Sequence, residues 1–147
     1  MVTPAKRIAH GIDLDAVEGA IRAAEQRTSG EICVAIARSW FWADTRAAAE
    51  RAFRRMGVSA TRARNGVLIF LVPRRRKVVV LGDAGIHAKV APDFWDRVVE
   101  RITADFRRGD PTAGMVAAVE LLGNALASAF PASAADVNEL PNTVSVD

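Results

Sequence analysis

The sequence is poor in the residues that cross-link small secreted domains or build many metal centres. Its 147 residues include one cysteine, Cys33, and two histidines. One cysteine excludes an internal disulfide framework and any zinc site made of several cysteines, and two histidines leave little room for histidine-rich metal chemistry. Since a free thiol fits a reducing compartment, the expected location is the cytoplasm.

Long hydrophobic segments are missing as well. The strictly apolar stretch from Val67 to Val72 is far too short to cross a bilayer, and residues 1–14 lack the apolar core of a secretory signal. The stretch from Met115 to Phe130 is interrupted by Glu120 and Asn124, which is typical of a buried amphipathic helix. We therefore expect a soluble chain with no transmembrane segment.

The composition that remains is that of a globular protein. Apolar residues make up 50% of the chain and charged residues 25%, and the length suffices to bury a core without disulfides or metal. No internal repeat is present, so we expect one domain over residues 1–147, with its core at about 12–131 and an extended tail at 132–147. The net charge of +3 is a weak argument for nucleic-acid binding, and a nucleic-acid partner is not expected.

Hydrophobic periodicity predicts four helices and three strands in the order α-β-α-β-β-α-α. The helices are predicted at about residues 13–27, 44–56, 92–109 and 110–130, and the strands at 31–38, 67–72 and 77–81. A right-handed crossover makes the first two strands parallel, and a hairpin adds the third in the antiparallel direction. Residues 82–85 are expected to be a plain loop. The sequence thus predicts an α/β fold, with a small mixed sheet flanked by helices on both faces.

Four oxygen-bearing side chains are expected to gather at one end of this sheet. Glu31 and Asn65 begin the two parallel strands, and Asp83 follows the antiparallel strand, whose end returns to the same edge. The chain then leads to Asp93 at a helix start. Carboxylate and amide oxygens are hard ligands, and three acids with one amide suit Ca²⁺ or Mg²⁺. The sequence therefore predicts a divalent-cation site made by these four residues.

Simpler structural roles stay open for each of the four. Glu31 can be a solvated strand end, and Asn65 with Gly66 can form a turn. Asp83 and Asp93 can accept hydrogen bonds from free helix amides. The four residues are also far apart in the sequence, whereas the ligands of an EF-hand lie within one compact loop. The ion site and the structural roles are therefore alternatives at this point.

The opposite edge of the sheet is expected to be cationic and aromatic. Arg74, Arg75 and Arg76 form the tip of the predicted hairpin, and such a tip is either simply solvated or contacts phosphates or anionic lipid. Trp40 and Trp42 flank a phenylalanine just after the first strand. Core packing accounts for two of three adjacent aromatics, which leaves at least one for an interface. These five residues are the candidates for a partner-binding surface.

Several segments, in their order and spacing, resemble the TPM domain family over about residues 12–145. They are SGEI at 29–32, TRARNGVLIF at 61–70, LGDAGI at 81–86, DFW at 93–95, FRRGD at 106–110, FP at 130–131 and NELP at 138–141. The last segment resembles the tail of a stand-alone soluble bacterial subgroup. Within the resemblance, Asp83 and Asp93 match acidic loop positions of the family, while Glu31 and Asn65 match its sequence pattern.

The resemblance implies a three-layer α/β/α sandwich, in agreement with the prediction from periodicity. Family members include thylakoid-lumen proteins tied to photosystem II repair, with reported acid phosphatase activity, and a nematode receptor modulator. Some soluble bacterial members are reported to bind Ca²⁺. Many relatives carry a signal peptide and a carboxy-terminal membrane helix, neither of which is expected here, so membrane and photosynthetic roles are not expected either.

The sequence departs from the family at one position of the predicted site. Many relatives carry an acid directly before the Asn-Gly pair, where this chain has Arg64. A cation there either repels a metal ion or replaces it by pairing with Asp83.

Three functional hypotheses follow. The first is a soluble module that holds Ca²⁺, or Mg²⁺, at the acidic end and acts through an unknown protein partner. The second is a metal-dependent phosphomonoesterase at the same site, in which the ion polarises the phosphate and activates water. The third is a metal-free interaction domain that uses Trp40 and Trp42 or the hairpin tip.

Overall fold

The computed structural model describes residues 7–38, 44–133, 140 and 142–146. Within these residues the strands are β1 (Ile8–Ala9), β2 (Ile12–Asp13), β3 (Glu31–Ile36), β4 (Gly66–Val72), β5 (Lys77–Gly82) and β6 (Ser145–Val146). The helices are α1 (Leu14–Glu25), α2 (Thr45–Arg55), α3 (Ala84–His87), α4 (Phe94–Arg107) and α5 (Pro111–Ala129). Short 3₁₀ turns cover Val58–Ala60 and Pro73–Arg75.

The main sheet has four strands in the order β5-β4-β3-β6. Strands β3 and β4 are parallel, and β4 and β5 form an antiparallel hairpin. Both pairings confirm the predicted mixed sheet, and with it the α/β class. All seven residues of β4 are buried, as expected for a strand that is hydrogen-bonded along both edges and covered on both faces.

The sheet faces alternate along β3 and pack against different helices. Ile32, Val34 and Ile36 join the core formed by α1, α4 and α5, whereas Cys33 and Ala35 face α2. The result is a three-layer α/β/α arrangement, because neither face of β3 is left to solvent.

Aspartate caps explain where three of the helices begin. Asp13, Asp44 and Asp110 each accept a hydrogen bond from the backbone amide three residues further on, at 3.1, 3.1 and 3.2 Å. Each side chain satisfies an amide that has no partner within its helix. The predicted starts of α1, α2 and α5 are therefore confirmed to within one residue.

Four helices and strands of the described chain were not predicted, namely β1, β2, α3 and β6, and the last two have clear local causes. The tail supplies β6, which runs parallel to β3; a strand of two residues carries no readable alternation. It is anchored by Glu18, whose Oε1 accepts the Val144 N–H at 2.9 Å. The expected loop at 82–85 contains instead the start of α3, because the Asp83 carboxylate accepts the Ala84 N–H.

Helix α5 is the one helix in the described part of the chain that is long and apolar enough to cross a membrane by length and composition. The core helices of globular folds meet the same criteria. Here α5 packs against α1 and α4 and buries Met115, Val119, Leu122 and Leu126, in keeping with the predicted buried helix.

A glycine at the start of β4 allows a close backbone approach beside the sheet end. A Cβ atom at Gly66 would lie 2.6 Å from the Val58 carbonyl oxygen and 2.8 Å from its Cγ1. We expect Gly66→Ala to lower the free energy of unfolding by about 1–3 kcal/mol, because a backbone carbonyl cannot move away cheaply.

The matched control is Gly19→Ala in α1, where the new methyl group meets only the Arg22 Nη2 at 3.9 Å. It should raise stability by roughly 0.5–1 kcal/mol, since alanine favours the helix. Urea unfolding of both variants measures the two effects. Equal stabilities for the two variants would contradict the packing described around β4.

Candidate functional site

Strand polarity brings three of the four predicted ligands to one end of the sheet. Glu31 pairs with Gly66, and Gly82 with Val67. The Glu31 N–H donates to the Asn65 carbonyl at 3.4 Å. Asn65 therefore precedes β4 beside Glu31, and Asp83 leaves β5 at the same end. We call Glu31, Asn65 and Asp83 the acidic rim.

A bidentate ion pair occupies Asp83. The Arg64 Nε lies 2.8 Å from its Oδ2, and the Arg64 Nη2 lies 3.0 Å from its Oδ1. The Oδ1 also accepts the Ala84 N–H at 2.8 Å. The Asp83 side chain is only 6% exposed, and that of Arg64 is 57% exposed, so the guanidinium covers the carboxylate from the solvent side.

The ion pair shifts the pKa values of both Asp83 and Arg64. Burial by itself would raise the pKa of Asp83. The hydrogen bonds from Arg64 and Ala84, together with the Arg64 charge, outweigh burial and hold that pKa below its usual range. The pKa of Arg64 is raised in turn by its hydrogen bond and charge interaction with Asp83. At neutral pH, Asp83 is a carboxylate with a cation already bound to it.

The backbone around Arg64 fixes the position of this guanidinium. Arg64 has a φ of +54°, a left-handed conformation that costs a non-glycine residue about 1–2 kcal/mol. Its carbonyl oxygen accepts the Gly85 N–H at 2.8 Å. A Cβ at Gly85 would lie 2.3 Å from the Ala63 carbonyl oxygen, so glycine is required for α3 to approach the loop so closely.

Asn65 is held just as firmly, as part of the turn into β4. It is 1% exposed, and its Nδ2 donates to the Ser29 Oγ at 3.3 Å. Ser29 donates its own N–H to the Phe130 carbonyl at the end of α5. The amide side chain therefore joins the starts of β3 and β4 at the rim.

Glu31 lies beside a second acid, Glu25, which the sequence analysis missed. Glu25 ends α1, and its Oε2 accepts the Ile32 N–H at 2.9 Å. The pKa of Glu25 is raised to about 8, chiefly by burial and then by its interaction with Glu31, while the hydrogen bond from Ile32 acts in the opposite direction. Glu25 therefore keeps its proton at neutral pH and adds no second negative charge beside Glu31.

A signal for Glu25 existed in the sequence. An acid in the last turn of a helix faces the negative end of the helix dipole and is unfavourable there without a compensating partner. In this chain the compensating partner is the backbone N–H of Ile32, the second residue of β3.

Cys33 follows Glu31 on the same face of β3 and is buried. Burial, and then the charges of Glu25 and Glu31, raise the pKa of its thiol to about 12. It is therefore a neutral packing residue at physiological pH and not a nucleophile.

Asp93, the fourth predicted ligand, is engaged elsewhere. Its side chain is 69% exposed, and its Oδ2 lies 3.5 Å from the Arg97 Nε on the same helix. In the described ranges, no group of three histidine, cysteine, aspartate or glutamate side chains is arranged to hold a metal ion. The structure thus brings Glu31, Asn65 and Asp83 together and leaves Asp93 in a surface ion pair.

The opposite end of the sheet carries the predicted cationic tip. Arg74 and Arg75 lie in the 3₁₀ turn after β4, and Arg76 follows it with a left-handed φ of +53°. Arg74 and Arg76 are exposed. The other interaction candidates, Trp40 and Trp42, lie outside the described residues.

The raised pKa of Glu25 has a consequence for stability. Between its ordinary value of 4.5 and its folded value of about 8, Glu25 binds a proton in the folded but not in the unfolded chain. The free energy of unfolding should therefore fall as pH rises through this window. Glu25→Gln keeps an acceptor for Ile32 but cannot ionise, so its stability should fall less and exceed that of wild type at pH 8.

Denaturant unfolding at several pH values measures this difference, with Glu120→Gln on the exposed face of α5 as control. Parallel stability curves for wild type and Glu25→Gln would show that the acid pair is not protonated as described.

The Arg64–Asp83 pair can be tested in the same loop. Arg64→Asn tolerates the left-handed backbone but leaves a buried carboxylate without its cation. We expect a loss of stability that is modest, because Arg64 is half exposed and its charge is partly screened, but larger than that of the control variant. Arg62→Asn, two residues earlier and exposed, should change stability by less than about 0.5 kcal/mol. Chemical denaturation checks both values, and equal losses would contradict a specific ion pair.

Comparisons with known proteins agree with this architecture. The family model described as the TPM domain matches residues 11–125. The solution structure of the BA42 protein from the psychrophilic bacterium Bizionia argentinensis is 37% identical to this chain, with a TM-score of 0.84, and the match covers 91% of this chain and 92% of BA42. No curated protein sequence matches the chain.

Two more distant structures share the fold. The N-terminal domain of a P. gingivalis protein is 21% identical, with a TM-score of 0.66, over 84% of this chain and 78% of that one. The N-terminal domain of the cg2496 protein from Corynebacterium glutamicum is 16% identical, with a TM-score of 0.56, over 90% and 82%. Since the family model covers most of the sequence and BA42 matches nearly all of it, this chain belongs to the TPM domain family.

Proposed function

We propose that this TPM domain is a binding module whose acidic rim needs no metal ion, because Arg64 supplies the positive charge there. The observation that carries the proposal is the bidentate ion pair between Arg64 and Asp83. A guanidinium held by two hydrogen bonds compensates a carboxylate much as a bound cation does, and it also brings fixed geometry.

The donor set at the rim does not fit a divalent ion in this arrangement. Both oxygens of Asp83 accept hydrogen bonds from Arg64, and Glu31 lies close enough to Glu25 to raise the pKa of that acid. Asp93 pairs with Arg97. Calcium prefers six to eight oxygen ligands, so an ion would have to displace Arg64 and also collect ligands that are engaged elsewhere. The calcium site stays a prediction, and the ion pair is the argument against it.

The binding surface of the proposed module is the cationic hairpin end. Arg74, Arg75 and Arg76 project from the turn between β4 and β5, at the end of the sheet opposite the acidic rim. No ion pair within the described residues engages these three side chains. Exposed cations without internal partners favour an anionic ligand or partner.

A calcium titration separates the metal-free module from the calcium module. We expect amide signals of residues 83–93 in ¹H–¹⁵N NMR spectra to stay unchanged at millimolar calcium, because Arg64 holds Asp83. Saturable shifts at these residues in wild type would overturn the proposal. Arg64→Asn serves as the positive comparison: shifts that appear only in this variant would show that the guanidinium takes the place of an ion.

The phosphatase alternative has its own measurement. If the rim supported phosphomonoester hydrolysis, turnover of an aryl phosphate with added Mg²⁺ or Ca²⁺ would fall in Asp83→Asn. We expect no turnover that depends on Asp83. A reproducible activity that survives further purification and is lost in Asp83→Asn would establish the enzyme instead.

A further inference from the structure

A groove runs beside the cationic hairpin end, between the β4–β5 hairpin and the carboxyl end of α4. Its volume is about 740 Å³, within the range of about 300–1,000 Å³ that small-molecule sites occupy. It is closed at one end by the start of α5 and by the turn between β1 and β2. The acidic rim lies at the far end of the same sheet, so the two places share no residue.

The floor of this groove is apolar. Leu71 and Ile102 form its base and are buried, and Val78 and Phe106 line its sides and are partly buried. Pro111 completes the wall at the start of α5. The shape and chemistry of such a floor suit a hydrocarbon chain.

Cations surround the apolar floor. Arg76 and Lys77 line it from the hairpin and Arg107 from α4, and none of these three side chains has an ion-pair or hydrogen-bond partner within the described residues. Among the residues that the structure describes, no acidic side chain lines the groove. The nearest acids in sequence are already used: Asp105 pairs with Arg101 and Arg108, and Asp110 caps α5.

Two of the lining residues hold an unfavourable backbone conformation. Arg76 and His10 both have a φ of +53°, where asparagine or glycine is better tolerated. A sequence under selection for stability alone would place one of those residues at each turn. The presence of an arginine and a histidine at these turns is explained if their side chains contribute to ligand binding in the groove.

We propose that the groove binds a single-chain fatty carboxylate, with its hydrocarbon tail on the apolar floor and its carboxylate between Lys77, Arg76 and Arg107. The inference rests on the proposed function, since it names the ligand class of the cationic hairpin end. Charge complementarity selects an anion, and the apolar floor selects an anion with a tail. An inorganic anion or a short acid would leave the apolar floor exposed to water. A neutral lipid would leave the three cations without a counter-charge.

The test is an NMR titration of the full chain with decanoate, kept below its micelle concentration. We expect saturable shifts at Val78, Thr103, Phe106 and Gly109. Each added methylene from hexanoate to decanoate should tighten binding about fourfold. Decanol, which has the tail without the charge, should bind about tenfold more weakly.

Variants of the cations separate binding from folding. Lys77→Gln and Arg107→Gln each remove one charge, and Arg76→Asn removes a third while suiting the left-handed backbone. We expect the triple variant to keep a dispersed spectrum and to lose at least about tenfold in decanoate affinity. Arg51→Gln on α2, an exposed arginine away from the groove, should bind as wild type does.

Several results would overturn the proposal. They are shifts that fall outside the groove, equal affinity for decanol and decanoate, or unchanged affinity in the triple variant. Binding to anionic vesicles without binding to decanoate would assign the surface to a membrane, and concentration-dependent shifts at the groove without ligand would assign it to a second copy of the chain. In each case the calcium titration of the rim still decides the proposed function separately.

Discussion

The hydrogen bonding of β4 along both of its edges is the constraint on which the rest of the structure depends. It fixes β3 parallel on one side and β5 antiparallel on the other. This polarity places Asn65 and Asp83 at one end of the sheet and the cationic hairpin end at the other. The two ends of the sheet therefore differ in charge, with buried carboxylates at one end and exposed arginine side chains at the other.

Buried acids in this chain are compensated from within. Asp83 is paired with Arg64, and Asp105 lies between Arg101 and Arg108. Glu25 keeps a proton because its pKa is raised to about 8, chiefly by burial. A buried charge without a partner is costly, and in the described residues that cost is met by guanidinium groups and by the protonation of Glu25. Because these acids are already compensated, little negative charge is left at the acidic rim to attract a metal ion.

Much of the architecture could be predicted from the sequence, and its failures have physical causes. The unbroken apolar run of β4 indicated the central strand, and hydrophobic periodicity indicated the starts of α1, α2 and α5 to within one residue. Strand polarity correctly brought Glu31, Asn65 and Asp83 together. The sequence could not show which of two roles Arg64 takes, because that depends on a left-handed backbone and a 2.8 Å approach.

The groove and the Glu25 pairing escaped prediction for a different reason. Both join residues that are distant in the chain, and neither leaves a periodic pattern or a compact motif. The groove depends on how the end of α4 packs against the β4–β5 hairpin. Glu25 depends on the free amide edge of β3, which exists because β6 is too short to cover it.

The most direct test of the account is a double-mutant cycle between Arg64 and Asp83, measured by chemical denaturation with and without millimolar calcium. The account predicts a favourable coupling free energy, above experimental error, that is the same in both conditions. A coupling that is absent, or that disappears when calcium is added, would contradict the claim that Arg64 is the cation of this rim.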